Sequence, residues 1–249
     1  MAKHHYSAAL ALALASVAST AALAQDSDWK FGIGTGFSSF GLDGDVGFAT
    51  PVGGFVREID LDNGETSDMI DSAIGANAFA TNGKWIFNLS FATVTLEDND
   101  ADLRAKWDRS MGELSAIYNF AQAGNNTFGI LAGVRMTKHE WELSSRTGAF
   151  PDVDPNDDWT DGIVGLSHML QISDSWSWRT RVDAGFGDSE EAYYAVTGIY
   201  WQPLEHWLFN VNAKYIATEF GNEDDINDSD FYYYDVDETA LGLGFTYVW

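Results

Sequence analysis

The chain of 249 residues has no cysteine, 4 prolines, 24 glycines and 10 Trp, 10 Tyr and 16 Phe, and 38 acidic against 13 basic side chains leave a formal charge of -25. That charge repels a phosphate backbone and excludes a general nucleic-acid binder. The lack of cysteine excludes zinc fingers, thiol redox centres and disulfide scaffolds. An aromatic content of 14% is also too high for a disordered acidic chain, so the rings must be packed or must meet lipid.

The N-terminus reads as an export address. Lys3, His4 and His5 precede an Ala/Leu-rich run over 7–22, closed by Ala22-Leu23-Ala24. These are the charged, apolar and small-x-small parts of a secretory signal peptide, and the apolar run is short for a span of about 20 residues. The expected organisation is a signal peptide over 1–24 and one domain over 25–249. Without a cysteine near the cleavage site, a lipid-modified lipoprotein is excluded.

Beyond residue 24 no run is apolar enough for a transmembrane helix, and period two takes over. In 29–40, Trp29, Phe31, Ile33, Thr35 and Phe37 alternate with Lys30, Gly32, Gly34, Gly36 and Ser38. Trp85, Phe87, Leu89 and Phe91 alternate with Asn88 and Ser90. Trp176, Trp178, Thr180, Val182, Ala184 and Phe186 alternate with Ser177, Arg179, Arg181, Asp183 and Gly185. Trp207, Phe209, Val211, Ala213 and Tyr215 alternate with Asn210, Asn212 and Lys214. Weaker alternation covers 72–81, 105–120, 127–143, 159–172 and 191–202. The last strand, 233–249, sets Leu241, Leu243, Phe245, Tyr247 and Trp249 against Ala240, Gly242, Gly244 and Thr246.

Connections alternate in length. Short links fall at Asn82-Gly83, a favoured two-residue hairpin turn, and at 122–126, 173–175 and 203–206. Longer, acidic links fall at 41–71, 97–104, 144–158, 188–190 and 221–232. Whether 55–62 adds a strand is left open by the pattern, and Asp68 and Ile70 suggest a short helical turn at the mouth. Ten strands with short turns at one end match an outer-membrane barrel. A soluble β-sandwich also alternates, but Trp at strand ends and glycine on the polar face favour lipid outside and a narrow lumen inside. The expected fold is an all-β, closed antiparallel transmembrane β-barrel of about ten strands, within 8–12, in the outer membrane.

The C-terminal residues Gly244, Phe245, Tyr247 and Trp249 resemble the signal by which bacterial outer-membrane barrels are handed to the barrel-assembly machinery. Terminal Trp stands where Phe is commoner, and Gly242 where a polar residue is usual. The segments 41–46, 68–71 and 183–187 resemble a largely uncharacterised family of porin-like outer-membrane proteins of Gram-negative bacteria. That resemblance implies the fold, the outer-membrane location and the assembly partner. It implies no chemistry, cofactor or catalytic residue.

Three histidines remain after residue 24. His206 lies in a short turn, and His168 adjoins Ser167 on the opposite face of its strand, so the two cannot form a nucleophile–base pair. His139, near Glu140 and Glu142, is the acid–base candidate, with an ordinary rim residue as the simpler reading. The inferred lumen carries Lys30, Glu113, Arg135, Arg179, Arg181, Asp183 and Lys214. These either form a charged constriction or pair with one another inside a narrow barrel. The acidic runs 152–158 and 223–230 place carboxylates at alternate positions but lack the glycine and closing glutamate of an EF-hand loop.

The functional expectation is a porin-like or structural barrel with at most narrow, charge-selective permeability. It is non-enzymatic and without cofactor, and it meets outer-membrane lipid, lipopolysaccharide and divalent cations. The alternatives are a surface-interaction or cation-binding barrel, a membrane-embedded lipid hydrolase or acyltransferase, and a secreted β-sandwich.

Overall fold

The computed structural model describes residues 29–51, 53–99, 103–145, 147, 152–222 and 225–249. The signal-peptide segment lies outside the described residues. The strands are β1 (Lys30–Phe48), β2 (Phe55–Leu61), β3 (Ile70–Thr81), β4 (Trp85–Asn99), β5 (Leu103–Ala123) and β6 (Asn126–Ser145). They continue with β7 (Asn156–Gln171), β8 (Trp176–Gly187), β9 (Glu191–Leu204), β10 (Trp207–Gly221) and β11 (Tyr232–Val248). One short helix, α1 (Asn63–Met69), links β2 to β3. Each strand from β3 to β11 pairs antiparallel with the next, and β1 pairs with both β3 and β11. The sheet is therefore a closed ring of ten strands, continuous except for a stretch between β1 and β3.

β2 stands beside this ring. It pairs only with the outer part of β1, from Leu42↔Leu61 to Phe48↔Phe55, so the chain doubles back above β3 without raising the ring count. The segment 41–71, expected as a loop, is thus the end of β1, then β2, α1 and the start of β3. Asp62 starts α1 with a capping box: its carboxylate accepts from the Gly64 and Glu65 amides, and the Glu65 carboxylate accepts from the Asp62 amide. The links expected over 97–104 and 144–158 are likewise shorter, because β4, β5 and β6 run on beyond the alternating cores.

Length explains what these extensions do. β5 has 21 residues, which at about 3.3 Å each and a tilt near 40° rises roughly 50 Å, about twice the ~25 Å apolar band of such barrels. The outward side chains mark where that band lies. On β6 they run Phe128, Ile130, Ala132, Val134, Met136 and then change to Lys138, Glu140 and Glu142. On β11 they run Tyr247, Phe245, Leu243, Leu241 and then change to Thr239, Asp237 and Asp235. Leu241 and Leu243 are 64% and 61% exposed, an arrangement tolerable only against lipid. Trp85, Trp176, Trp201 and Trp207 gather at the short-turn end, where an interfacial girdle belongs.

The interior divides in two. Toward the short turns small and polar residues share it with a minor apolar cluster of Ile117, Leu131 and Ile163, and the Phe79 ring lies over Gly32. Toward the long loops it holds an apolar core of Phe40, Leu42, Phe48, Trp107, Trp159, Phe220, Tyr232 and Tyr234, among others. The rings thus divide between this core and the outward faces, which carry the larger share. Above the apolar band the strands have water outside, so their inner faces bury rings as a soluble protein does.

Candidate functional site: the barrel interior

At the outer margin of the apolar band four charged side chains converge from three strands. Glu113 of β5 accepts from Arg135 of β6 at 2.9 Å and from both terminal nitrogens of Arg181 of β8 at 2.7 and 2.9 Å. Asp183, two residues beyond Arg181, accepts from Arg135 at 2.9 Å and from Arg181 Nε at 2.7 Å. The Asp183 side chain is fully buried and that of Arg135 is 6% exposed. Two guanidinium groups thus meet two carboxylates with zero net charge, the condition under which buried ions are tolerated. Tyr194 of β9 closes the cluster, its ring 4.8 Å from the Arg135 guanidinium and 5.1 Å from that of Arg181.

A second group lies across the lumen. Arg109 of β5 donates to Glu238 of β11, and Lys214 of β10 lies 3.7 Å from the same carboxylate. The remaining two lumen candidates sit apart. Arg179 stacks on Tyr200 at 4.4 Å, and Lys30 is exposed at the start of β1. Of the seven residues, Glu113, Arg135, Arg181 and Asp183 therefore form one constellation and Lys214 joins another. Arg109, Glu238 and Tyr194 also belong to these clusters, though nothing in the sequence singles them out. Extending the alternation by one or two positions from Glu113, Ala240 and Ala192 places all three on the inner face.

The aromatic core closes the lumen above these ions. His139 is completely buried in it, and its ring meets Trp159 at 4.7 Å, Tyr234 at 4.6 Å and Trp107 at 5.0 Å, all edge to face. Its Nδ1 bonds the Tyr232 hydroxyl at 2.8 Å, and Nε2 has no partner among the described residues. His139 is thus neither an exposed rim residue nor poised beside a serine or a carboxylate. His168 bonds Asn126 at 2.8 Å and stacks on Phe128, and His206 bonds the Val248 carbonyl at 2.8 Å.

Outside, above the band, carboxylates are stacked in register. One row crosses four strands and the edge of a fifth as Glu58, Asp45, Asp235, Glu219 and Glu191, and the next holds Asp60, Asp43 and Asp237. In the loop after β10, Asp225 accepts from the backbone and side-chain amides of Asn227 at 2.9 and 3.0 Å, which holds its carboxyl below the usual range. Glu223 and Asp224 lie outside the described residues. Among the described residues no three metal-binding side chains come together at a single point.

At the seam of the ring, Gly244 faces inward while Phe245 and Tyr247 face lipid. Trp249 exchanges backbone hydrogen bonds with Phe31 at 2.9 and 3.0 Å and stacks on its ring.

No described protein family and no curated protein matches the sequence. Among solved structures, the outer-membrane protease OmpT of Escherichia coli is similar over 89% of this chain and 96% of its own, at 10% identity and a TM-score of 0.51. This chain has the fold of an outer-membrane β-barrel. The translocator domain of the autotransporter NalP from Neisseria meningitidis aligns over 97% of this chain and 96% of its own, at 12% identity and a TM-score of 0.46. Ail, the attachment invasion locus protein of Yersinia pestis, aligns over 88% and 98%, at 12% and 0.35. The barrel's apolar belt of outward side chains places it in the membrane on physical grounds that do not depend on these alignments.

Proposed function

We propose that this barrel is a closed, structural outer-membrane protein with at most narrow, charge-selective permeability. The observation that carries the reading is the filled outer half of the lumen, where a neutral four-charge cluster lies beneath a packed aromatic layer. A diffusion pore needs a water-filled passage lined by uncompensated polar groups, and here the four charges at the constriction are spent on one another. Recordings of the refolded protein in planar bilayers test this. The expected result is no porin-sized conductance steps; frequent large steps would refute it.

The same reading makes the barrel non-enzymatic. His139, the one acid–base candidate, is enclosed by rings and bonded to a tyrosine hydroxyl, with no carboxylate among the described residues to orient it. The acidic rows suggest the external partner. They stand just above the lipid band, at the height of lipopolysaccharide phosphates, and divalent cations bridging phosphate to carboxylate would relieve repulsion on both sides. Gly244, Phe245, Tyr247 and Trp249 are assigned to recognition by the barrel-assembly machinery, because they belong to the strand that closes the ring on β1.

A further inference from the structure

The wall has one break among the described residues. β1 and β3 are paired from Lys30↔Thr81 to Thr35↔Ala76, where the Thr35 hydroxyl donates to the Gly75 carbonyl at 2.5 Å, and the ladder ends there. β1 gains its next partner on that side at Leu42, from β2. Between these points 36–41 of β1 and 70–75 of β3 face each other without pairing. The top of the gap is held by α1: the Thr66 hydroxyl donates to the Phe40 carbonyl, and Ser39 bonds Ser67 at 3.1 Å and the Asn63 carbonyl at 3.2 Å. An unpaired stretch of two neighbouring strands is costly in a bilayer unless something occupies it.

A cavity of about 100 Å³ passes through this break. Its outer lip carries the lipid-facing side chains Phe37 and Ile74, 55% and 58% exposed, and its inner wall carries Arg109, Lys214 and Glu238. Two cations facing one carboxylate leave the inner wall with a net positive charge. Arg109 is nine-tenths buried, and its Nε has no hydrogen-bond partner among the described residues. A buried guanidinium donor left open, with an ammonium group on the same wall, calls for an anionic acceptor. The lip calls for hydrocarbon, and it lies at the outer margin of the apolar band.

We infer that the β1–β3 gap is a lateral portal that takes a single-chain anionic amphiphile from the membrane, its carboxylate held by Arg109 and Lys214 and its tail laid over Phe37 and Ile74. The cavity has room for a carboxylate and a few methylenes but not for a branched headgroup. The proposal extends beyond the closed-barrel reading and is independent of conductance, since the entry is through the wall and not along the axis.

Equilibrium dialysis of radiolabelled myristate against the refolded full barrel in neutral detergent tests it, with folding of each variant checked by heat-modifiable gel migration. The expected result is one saturable site per barrel. Lys214→Gln should weaken it at least tenfold, and Ala73→Trp, which fills the cavity from β3, should abolish it. Arg109→Gln should act like Lys214→Gln if it folds, and the other two variants decide the matter if it does not. Myristate methyl ester, with the same tail and no charge, should fail to compete. Equal competition by the ester, or unchanged binding in Lys214→Gln and Ala73→Trp, would mean simple partition into the micelle and overturn the proposal. Displacement by equal concentrations of acetate or inorganic phosphate would make this a soluble-anion site and overturn it as well.

Discussion

The charged quartet of Glu113, Arg135, Arg181 and Asp183 is balanced only as a unit. Each arginine touches both carboxylates, so removing one carboxylate leaves two buried cations sharing one anion. Breaking a buried pair in this way typically costs about 3–5 kcal/mol, whereas replacing the whole set can be nearly neutral. Glu113→Gln should therefore lower unfolding free energy in urea by about 3 kcal/mol. The double variant Glu113→Gln/Arg181→Gln, neutral again, should recover a substantial part of that loss. A single variant as stable as the wild type would mean that water inside the lumen already solvates these groups. The quartet is partly legible in the sequence, because alternation puts all four residues on inner faces. What alternation cannot give is the stagger of one strand against another around the ring. The meeting of Glu113 on β5 with Arg181 on β8, across strands that do not pair with each other, emerges only on closure.

The strand extensions carry the acid excess, and they carry it in an unfavourable arrangement. Asp235 lies directly between Asp45 and Glu219, and the row continues to Glu58 and Glu191. Cross-strand neighbours of this kind have Cβ atoms about 5 Å apart, and like charges there destabilise the sheet. Asp235→Asn removes two such repulsions and should stabilise the barrel by about 1 kcal/mol at low ionic strength. The gain should vanish in 1 M salt, where the screening length is about 3 Å, or with millimolar magnesium. Thermal melts across a salt and magnesium series measure it, and a gain independent of both would show that the row is not electrostatically strained. At this scale the sequence is least informative. The ten ring strands are legible because each has a lipid face and a lumen face, whereas β2 is a seven-residue edge strand, exposed over most of its length, in which Ile59 and Leu61 alone alternate into the core cluster. The start of α1 is encoded in Asp62 and Glu65, three residues apart, but its seven residues are too few for a helical period to stand out.

Taken as a whole, the barrel is sealed twice in series. The quartet lies below the ring formed by His139, Trp159, Phe220 and Tyr234, since Arg135 sits opposite Asp161, two inward positions beneath His139 on β6 and one beneath Trp159 on β7. Trp159 and Phe220 stack 4.5 Å apart within the upper seal. Closures in series imply that opening either one alone changes little, because the remaining seal still sets the resistance. Trp159→Ala/Phe220→Ala should therefore leave planar-bilayer conductance near the wild-type level while making the barrel less stable by several kcal/mol, the usual consequence of large-to-small changes in a core. Adding Glu113→Gln/Arg181→Gln should then produce discrete steps, because both barriers are lifted along the same axis. Steps from the aromatic double variant alone would show that the quartet is permeable by itself. In that event ion selection would belong to the four charges, and the rings above them would act only as a lid.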